Sequence, residues 1–323
     1  PEEWKKMIDN IHEAERETGR HCLVYMDLAG PKLRTSGLDP EFAAEGGKKG
    51  PYLLLYNDDM IRLVGALPEK GAASVPAPSD IPRVAVSLPS ILGDVRTGET
   101  IAFDDGTIRG TILDTAPDSF VVKIPYAGQN GPKLRLDKGI NLPDTALNLP
   151  SLTQEDYGNL PFVAAHADLV GYSFVRRPAD VEQLQADLRA LNREDLGIVL
   201  KIETKESFFN LPVLLLTAMK NPKVGVMIAR GDLAVEMGFE RIAEVQEEIL
   251  WICEAAHIPG VWATQVLDKL AKKGVASRAE ITDAAMSARA ECVMLNKGPY
   301  FVQAVGTLDD ILRRMASHQF KRK

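Results

Sequence analysis

The 323-residue sequence predicts an α/β fold: a TIM (β/α)8-type barrel, N-terminally incomplete as given and interrupted by a small all-β domain. Three observations predict it. After Gly139, apolar runs of strand length alternate with helix-length segments, the pattern of a parallel sheet with crossover helices. The run Val224 to Ala229 has no polar side chain and no alternation, which marks a strand buried on both faces. From about Ser36 to Lys138 the texture changes to short runs separated by Gly, Pro and Asp, with no long helix. The expected organisation is therefore barrel over 1–35, a β-rich domain over 36–138, and barrel again over 139–323.

Trp4, Met7, Ile8, Ile11 and Ala14 fall at helical spacing between Pro1 and Arg20, and Gly19 is a helix stop. The run His21 to Leu28 reads as a buried strand that ends in Asp27, followed by a turn over Ala29 to Thr35. Within the insertion, strands are expected at Tyr52 to Tyr56, Met60 to Val64, Thr100 to Phe103, Thr107 to Leu113 and Ser119 to Ile124. The Pro- and Ala-rich stretch Gly65 to Arg83 reads as an irregular loop.

The later strands are expected at Leu169 to Phe174, Ile198 to Glu203, Val224 to Ala229, Gly260 to Thr264 and Cys292 to Asn296. Helices are expected at Ala179 to Asn192, Ser207 to Lys220, Ile242 to His257, Gln265 to Lys273, Arg278 to Ala288 and Tyr300 to Met315. With the strand at Cys22 to Asp27 this makes six, two short of a closed barrel. An open remnant would leave strand edges unpaired, so the missing units are expected to precede Pro1.

A composition of 45% hydrophobic and 26% charged residues fits a globular protein with a sizeable core. The net charge of -7 and pI near 5.4 argue against a nucleic-acid-binding surface. Only Lys321 to Lys323 forms a basic run, and it reads as a solvated tail. No apolar run is long enough to cross a membrane and no signal peptide opens the chain. Cys22, Cys253 and Cys292 lie in apolar runs without CxxC spacing. They read as buried free thiols in a reducing cytoplasm.

In such a barrel the chemistry gathers at the carboxyl ends of the strands. The polar residues there are Asp27, Ser173, Lys201 with Glu203, Asp232, Thr264 and Asn296. A lone Ser or Thr at a strand end is most often a helix cap, and Asp27 alone would start a turn. Lys201 is harder to dismiss, because a lysine inside an apolar strand is rarely buried without a partner. It lies two residues from Glu203, so both side chains share one face. A structural Lys201–Glu203 ion pair is the bland alternative. Glu203 and Asp232 together suit a hard divalent cation, which keeps further positions for water and substrate. Gly231 permits close approach of backbone, and the amides after it would hold an anion if a short helix begins there. No P-loop and no Gly-x-Gly-x-x-Gly after a strand is present, and the five histidines are scattered.

The motifs Asp27-Leu-Ala-Gly-Pro-Lys-Leu-Arg34, Phe103-Asp-Asp-Gly-Thr107, Gly139-Ile-Asn-Leu-Pro143, Leu149-Pro-Ser-Leu-Thr153, Ser173-Phe-Val-Arg176, Lys201-Ile-Glu203, Ala229-Arg-Gly-Asp-Leu233, Ala263-Thr-Gln265 and Ser277-Arg-Ala-Glu280 resemble, in order, those of pyruvate kinases. The resemblance implies a barrel with a β-barrel lid, and transfer of the phosphoryl group of phosphoenolpyruvate to ADP to give pyruvate and ATP. By matching position it implies Lys201 and Thr264 as catalytic residues, with Glu203 and Asp232 holding Mg2+ or Mn2+. Ala229, Arg230, Gly231, Asp232, Thr264 and Ser173 would bind substrate, and Arg34 and Asp105 the nucleotide. Asp27 and Lys32 mark the monovalent-cation region. Lys32 stands where the common form has glutamate, as in a branch whose lysine ammonium replaces the cation, which puts potassium dependence in question. Assembly into a homo-oligomer stays open, and neither nucleic acid nor membrane is an expected partner.

The chain departs from the family pattern in further ways. The given sequence does not contain the amino-terminal stretch Arg-x-Asn-x-Ser-His-Gly, the segment Met294-Leu-Asn-Lys-Gly-Pro-Tyr300 lacks the usual serine and glutamate, and control through a regulatory carboxyl-terminal domain is not expected. Two other readings share the same residues: a metal-dependent, aldolase-like lyase of the phosphoenolpyruvate/pyruvate group, and an inactive pseudokinase that binds nucleotide or a partner.

Overall fold

A computed structural model describes residues 2–67, 81–126 and 131–319 of the chain. Most of the expected loop Gly65 to Arg83 and the basic run Lys321 to Lys323 lie outside the described residues. Two compact units emerge, Pro1–Gly30 with Ser151–Lys323, and Pro31–Pro150.

The first unit is built on a curled parallel sheet of six strands: β1 (Tyr25–Leu28), β2 (Leu169–Tyr172), β3 (Gly197–Ile202), β4 (Val224–Ala229), β5 (Gly260–Val266) and β6 (Cys292–Leu295). They pair in chain order and all in parallel. Successive side chains alternate between the two faces. On β3 and β4, Ile198, Leu200, Ile202, Val226 and Ile228 face the helices and join the large core, with Leu184, Leu188, Leu214, Val245 and Ile249. Their neighbours Val199 and Met227 meet Ala263 of β5 in a small cluster on the other face, beside Tyr25. Each fully buried aliphatic side chain contributes about 1.5–3 kcal/mol, so the outer layer carries most of the stability. The inner face is left for polar strand ends.

The helices follow the expected alternation, with four differences, the first a short helix Arg230–Met237 directly after β4. Helix Gln154–His166 is additional; Gly158 and Pro161 inside it disguise the pattern, and the Thr153/Asp156 capping box starts it. The segment expected as one helix over Ser207 to Lys220 is two, Lys205–Phe209 and Leu211–Ala218, because Pro212 restarts the helix at its first turn. The helix expected from Gln265 begins only at Asp268, since Thr264, Gln265 and Leu267 have φ of 65, 58 and 48 degrees. Two of the three thiols also differ from expectation. Cys253 is buried, but Cys22 and Cys292 are exposed. Cys22 precedes the first residue of β1, and Cys292 opens a strand that, among the described residues, has a neighbour on one side only.

Asp156 fastens the amino-terminal strand to this unit. Its carboxylate is 2% exposed and accepts from the amides of Ala29 at 2.8 Å, Gly30 at 3.2 Å and Thr153 at 2.8 Å. Asp156→Ala would orphan these donors and remove one half of the capping box, and should lower stability by about 2 kcal/mol in urea unfolding. Asp156→Asn, which keeps one acceptor, should lose less.

The second unit is a seven-stranded sheet in the order Ile140–Asn141, Thr100–Phe103, Ile108–Ala116, Ser119–Tyr126, Met60–Val64, Arg83–Val86, Thr35–Leu38. A bridge between Arg34 and Gly139 ties the two outermost strands together, which nearly closes the sheet into a barrel and removes its free edges. Ile61, Leu63, Ile101, Phe103, Ile112, Phe120 and Val122 fill its interior. A separate ribbon pairs Tyr52–Leu54 with Lys133–Arg135.

Candidate active site

The carboxyl ends of β1, β2 and β3 place three polar side chains on one face by period-two geometry: Asp27, Ser173 and Lys201. Lys201 Nζ donates to Ser173 Oγ at 2.8 Å and to Asp27 Oδ2 at 3.2 Å, and lies 3.6 Å from Glu203 Oε1. Burial disfavours the ammonium, but Glu203, Asp27 and Asp232 together outweigh it and hold its pKa above the ordinary lysine value. Lys201 is therefore a fixed positive charge among three carboxylates. Glu203 is 5% exposed, and its Oε2 accepts from the amide of Phe174 at 2.7 Å. Phe174 reaches that position with φ of 54 degrees, just past the end of β2.

Asp232 lies in the first turn of helix Arg230–Met237, which follows β4 without a loop. The helix start leaves amides without intrahelical partners near the strand end, where an anion is favoured. Among the described residues no three His, Cys, Asp or Glu converge as a full ligand set. Glu203 and Asp232 remain two oxygen donors beside the strand ends.

The Arg230 guanidinium is committed elsewhere. It donates to the carbonyls of Ala263 at 2.8 Å and Thr264 at 2.7 Å, pairs with Asp283, reaches Gln246 at 3.3 Å and stacks 4.7 Å above Trp262. Any role of Arg230 toward an anion thus falls to its backbone. The residues it grips are unusual. A β-branched Thr264 at positive φ is an outlier worth about 1–3 kcal/mol, and it persists because the surrounding contacts over-determine it. The register between β5 and β6 shifts across the same segment.

Arg34, Lys32 and Asp105 belong to the second unit. Arg34 donates to the Asp137 carbonyl at 3.0 Å, Lys32 lies along Gly139, and Asp105 is exposed at the tip of the hairpin joining Thr100–Phe103 to Ile108–Ala116. Asp105 and Gly106 both have positive φ, as a tight hairpin turn of this kind requires.

The sequence reading missed Tyr25, which donates to Asp27 Oδ1 at 2.6 Å, and Asp283, the partner of Arg230. Tyr25 was open to discovery, since it stands two residues before Asp27. Asp283 had no local cue, because its partner is 53 residues away.

The sequence profile of a known family, described as "Pyruvate kinase, barrel domain", matches residues 1–305. The chain belongs to the pyruvate kinase family. It is 31% identical over 325 residues to the pyruvate kinase of Bacillus licheniformis and 32% identical over 320 residues to that of Geobacillus stearothermophilus. Each alignment covers 97% of this chain and 50% of the relative. The pyruvate kinase of Methylorubrum extorquens is 31% identical, over 97% of this chain and 60% of its own length. The chain thus spans about half the length of the first two pyruvate kinases. Where it departs from the expected pyruvate kinase pattern at Asn296, the loop is tied back by Asn296 Nδ2 donating to Asp268 Oδ1 at 2.5 Å, with Lys272 pairing with the same carboxylate at 2.9 Å. No described helix is long and apolar enough to cross a membrane.

Proposed function

We propose that this chain is the barrel and lid of an enzyme that moves the phosphoryl group of phosphoenolpyruvate to ADP, giving pyruvate and ATP. The observation that carries the reading is the Lys201 ammonium, anchored by Ser173 and Asp27 and set beside Glu203 and Asp232 at the ends of parallel strands. A buried cation held there neutralises charge on a phosphoryl group in transit, without reorganising at the moment of reaction.

The donor set fits Mg2+ or Mn2+: two carboxylates, Glu203 and Asp232, are what a hard ion takes when its other positions go to water and substrate oxygens. A divalent ion bound there would supply positive charge to the phosphoryl and enolate oxygens. Glu203 presents an oriented carboxylate, because the Phe174 amide occupies one oxygen. The backbone from Ala229 to Asp232 offers donors to the substrate carboxylate, joined by the hydroxyls of Thr264 and Ser173. We assign Thr264 to the proton that converts enolate to pyruvate, as matching position implies. Arg34 and Asp105 are assigned to the nucleotide, Asp27 to the monovalent-cation region, and the Lys32 ammonium to the role of the cation, each by matching position alone.

The full-length protein, given phosphoenolpyruvate, ADP and magnesium, should form pyruvate, read by its enzymatic reduction with NADH, and should do so without potassium. Proton exchange into pyruvate with no ATP formed would instead support an aldolase-like lyase. Calorimetry showing no binding of magnesium with phosphoenolpyruvate would support a pseudokinase.

A further inference from the structure

Beyond the residues given roles above, the inner face of the parallel sheet carries a tyrosine hydroxyl that shares their network. Tyr25 and Asp27 leave β1 on the same side. The Tyr25 ring lies against the cluster of Val199, Met227 and Ala263, and its hydroxyl donates to Asp27 Oδ1 at 2.6 Å. Burial first, then the Asp27 charge, pushes the phenol pKa upward, so the hydroxyl stays protonated and acts as a donor.

That approach depends on the neighbouring strand. Asp27 pairs with Gly171 of β2, and a Cβ at Gly171 would stand 2.0 Å from both Asp27 Oδ1 and the Tyr25 hydroxyl oxygen. Only glycine leaves this gap. Phenol and carboxylate fill it, and the second carboxylate oxygen reaches Lys201 of β3 at 3.2 Å. The chain Tyr25–Asp27–Lys201 therefore runs across three adjacent strands. Asp27 depends on such a hold, since its side chain is 44% exposed and water competes for both oxygens. The other charged or titratable groups facing this chain are Glu203 just past the end of β3, Asp232 on the helix after β4 and Cys292 on β6.

We propose that Tyr25, seated over Gly171, is a positioning residue: by taking one oxygen of Asp27 it directs the other to Lys201 and so fixes where the Lys201 ammonium stands. This rests on the reading of Lys201 as the group that meets phosphoryl charge.

Tyr25→Phe keeps the ring and removes the donor. In the full-length protein it should lower kcat about 10-fold while KM for phosphoenolpyruvate changes less than about 2-fold, because a displaced ammonium is felt mainly in the transition state. Crystal structures of wild type and variant give a readout independent of turnover. In Y25F, Asp27 should rotate toward solvent and leave hydrogen-bonding distance of Lys201 Nζ. Gly171→Ala should reproduce both effects, since its methyl group claims the same space. If the wild type does not convert phosphoenolpyruvate, the phosphotransfer reading fails, yet the paired structures still decide the role of Tyr25. An Asp27 that stays on Lys201 in Y25F, or an unchanged kcat against an active wild type, overturns the proposal.

Discussion

Lys201→Met should lower kcat by about 10²–10³-fold, the usual loss when one preorganised charge donor is taken from a reacting oxyanion. Methionine is close to lysine in length and leaves the β3 backbone and its outer packing untouched, so the protein should still fold. The loss should appear in kcat and kcat/KM together, as expected of an ammonium proposed to act where charge develops. A second consequence has the opposite sign. Removing Lys201 leaves Asp27, Glu203 and Asp232 without their shared cation, so Mn2+ should bind the variant at least as tightly as the wild type in calorimetry. A variant that keeps more than about a tenth of wild-type kcat would remove Lys201 from the chemistry.

The largest expected loss of stability is at Asp283→Ala. Arg230 is 12% exposed and its guanidinium is shared between Asp283 and the carbonyls of Ala263 and Thr264. Deleting one partner of a buried pair leaves an uncompensated charge, at a cost of about 3–5 kcal/mol. Asp283 is 27% exposed, so water softens the loss and the lower end is expected, about 3 kcal/mol in the urea transition. Asp283 also accepts from Trp262 Nε1 at 3.3 Å, so the alanine variant loses a second contact. Replacing Arg230 and Asp283 together by Met and Leu should recover part of the stability, because no charge is then stranded. Activity should not recover, since the backbone at Thr264 would be released from its left-handed conformation. If the double variant were as active as wild type, the grip of Arg230 on Thr264 would have no part in the site.

What the sequence made legible was local. Val224–Ala229 emerged with the expected ends because the apolar run is bounded by Lys223 and Arg230, whose charges do not continue a strand buried on both faces. The spacing of Lys201 and Glu203 placed both on the inner face for the same reason. Helix Gln154–His166 was hidden by Gly158 and Pro161, whose propensities oppose the packing of Leu160 and Val163 that wins. The closing strands of the insertion, Thr35–Leu38 and Ile140–Asn141, are too short to announce themselves, and the bridge from Arg34 to Gly139 spans more than a hundred residues of sequence. The direction of the Arg230 side chain was illegible for a similar reason. Its partners Ala263 and Asp283 lie on a different strand and a different helix, and no spacing rule links them.

Transfer of a phosphoryl group from phosphoenolpyruvate to a nucleoside diphosphate under the charge of Lys201 is the activity proposed for this site. Phosphorus NMR of the full-length protein with phosphoenolpyruvate, ADP and magnesium tests it most directly. The phosphoenolpyruvate resonance should give way to the γ-phosphate of ATP in equal amount, and Lys201→Met should leave the spectrum unchanged over the same period. Release of inorganic phosphate in place of ATP, or equal conversion by the variant, would contradict it.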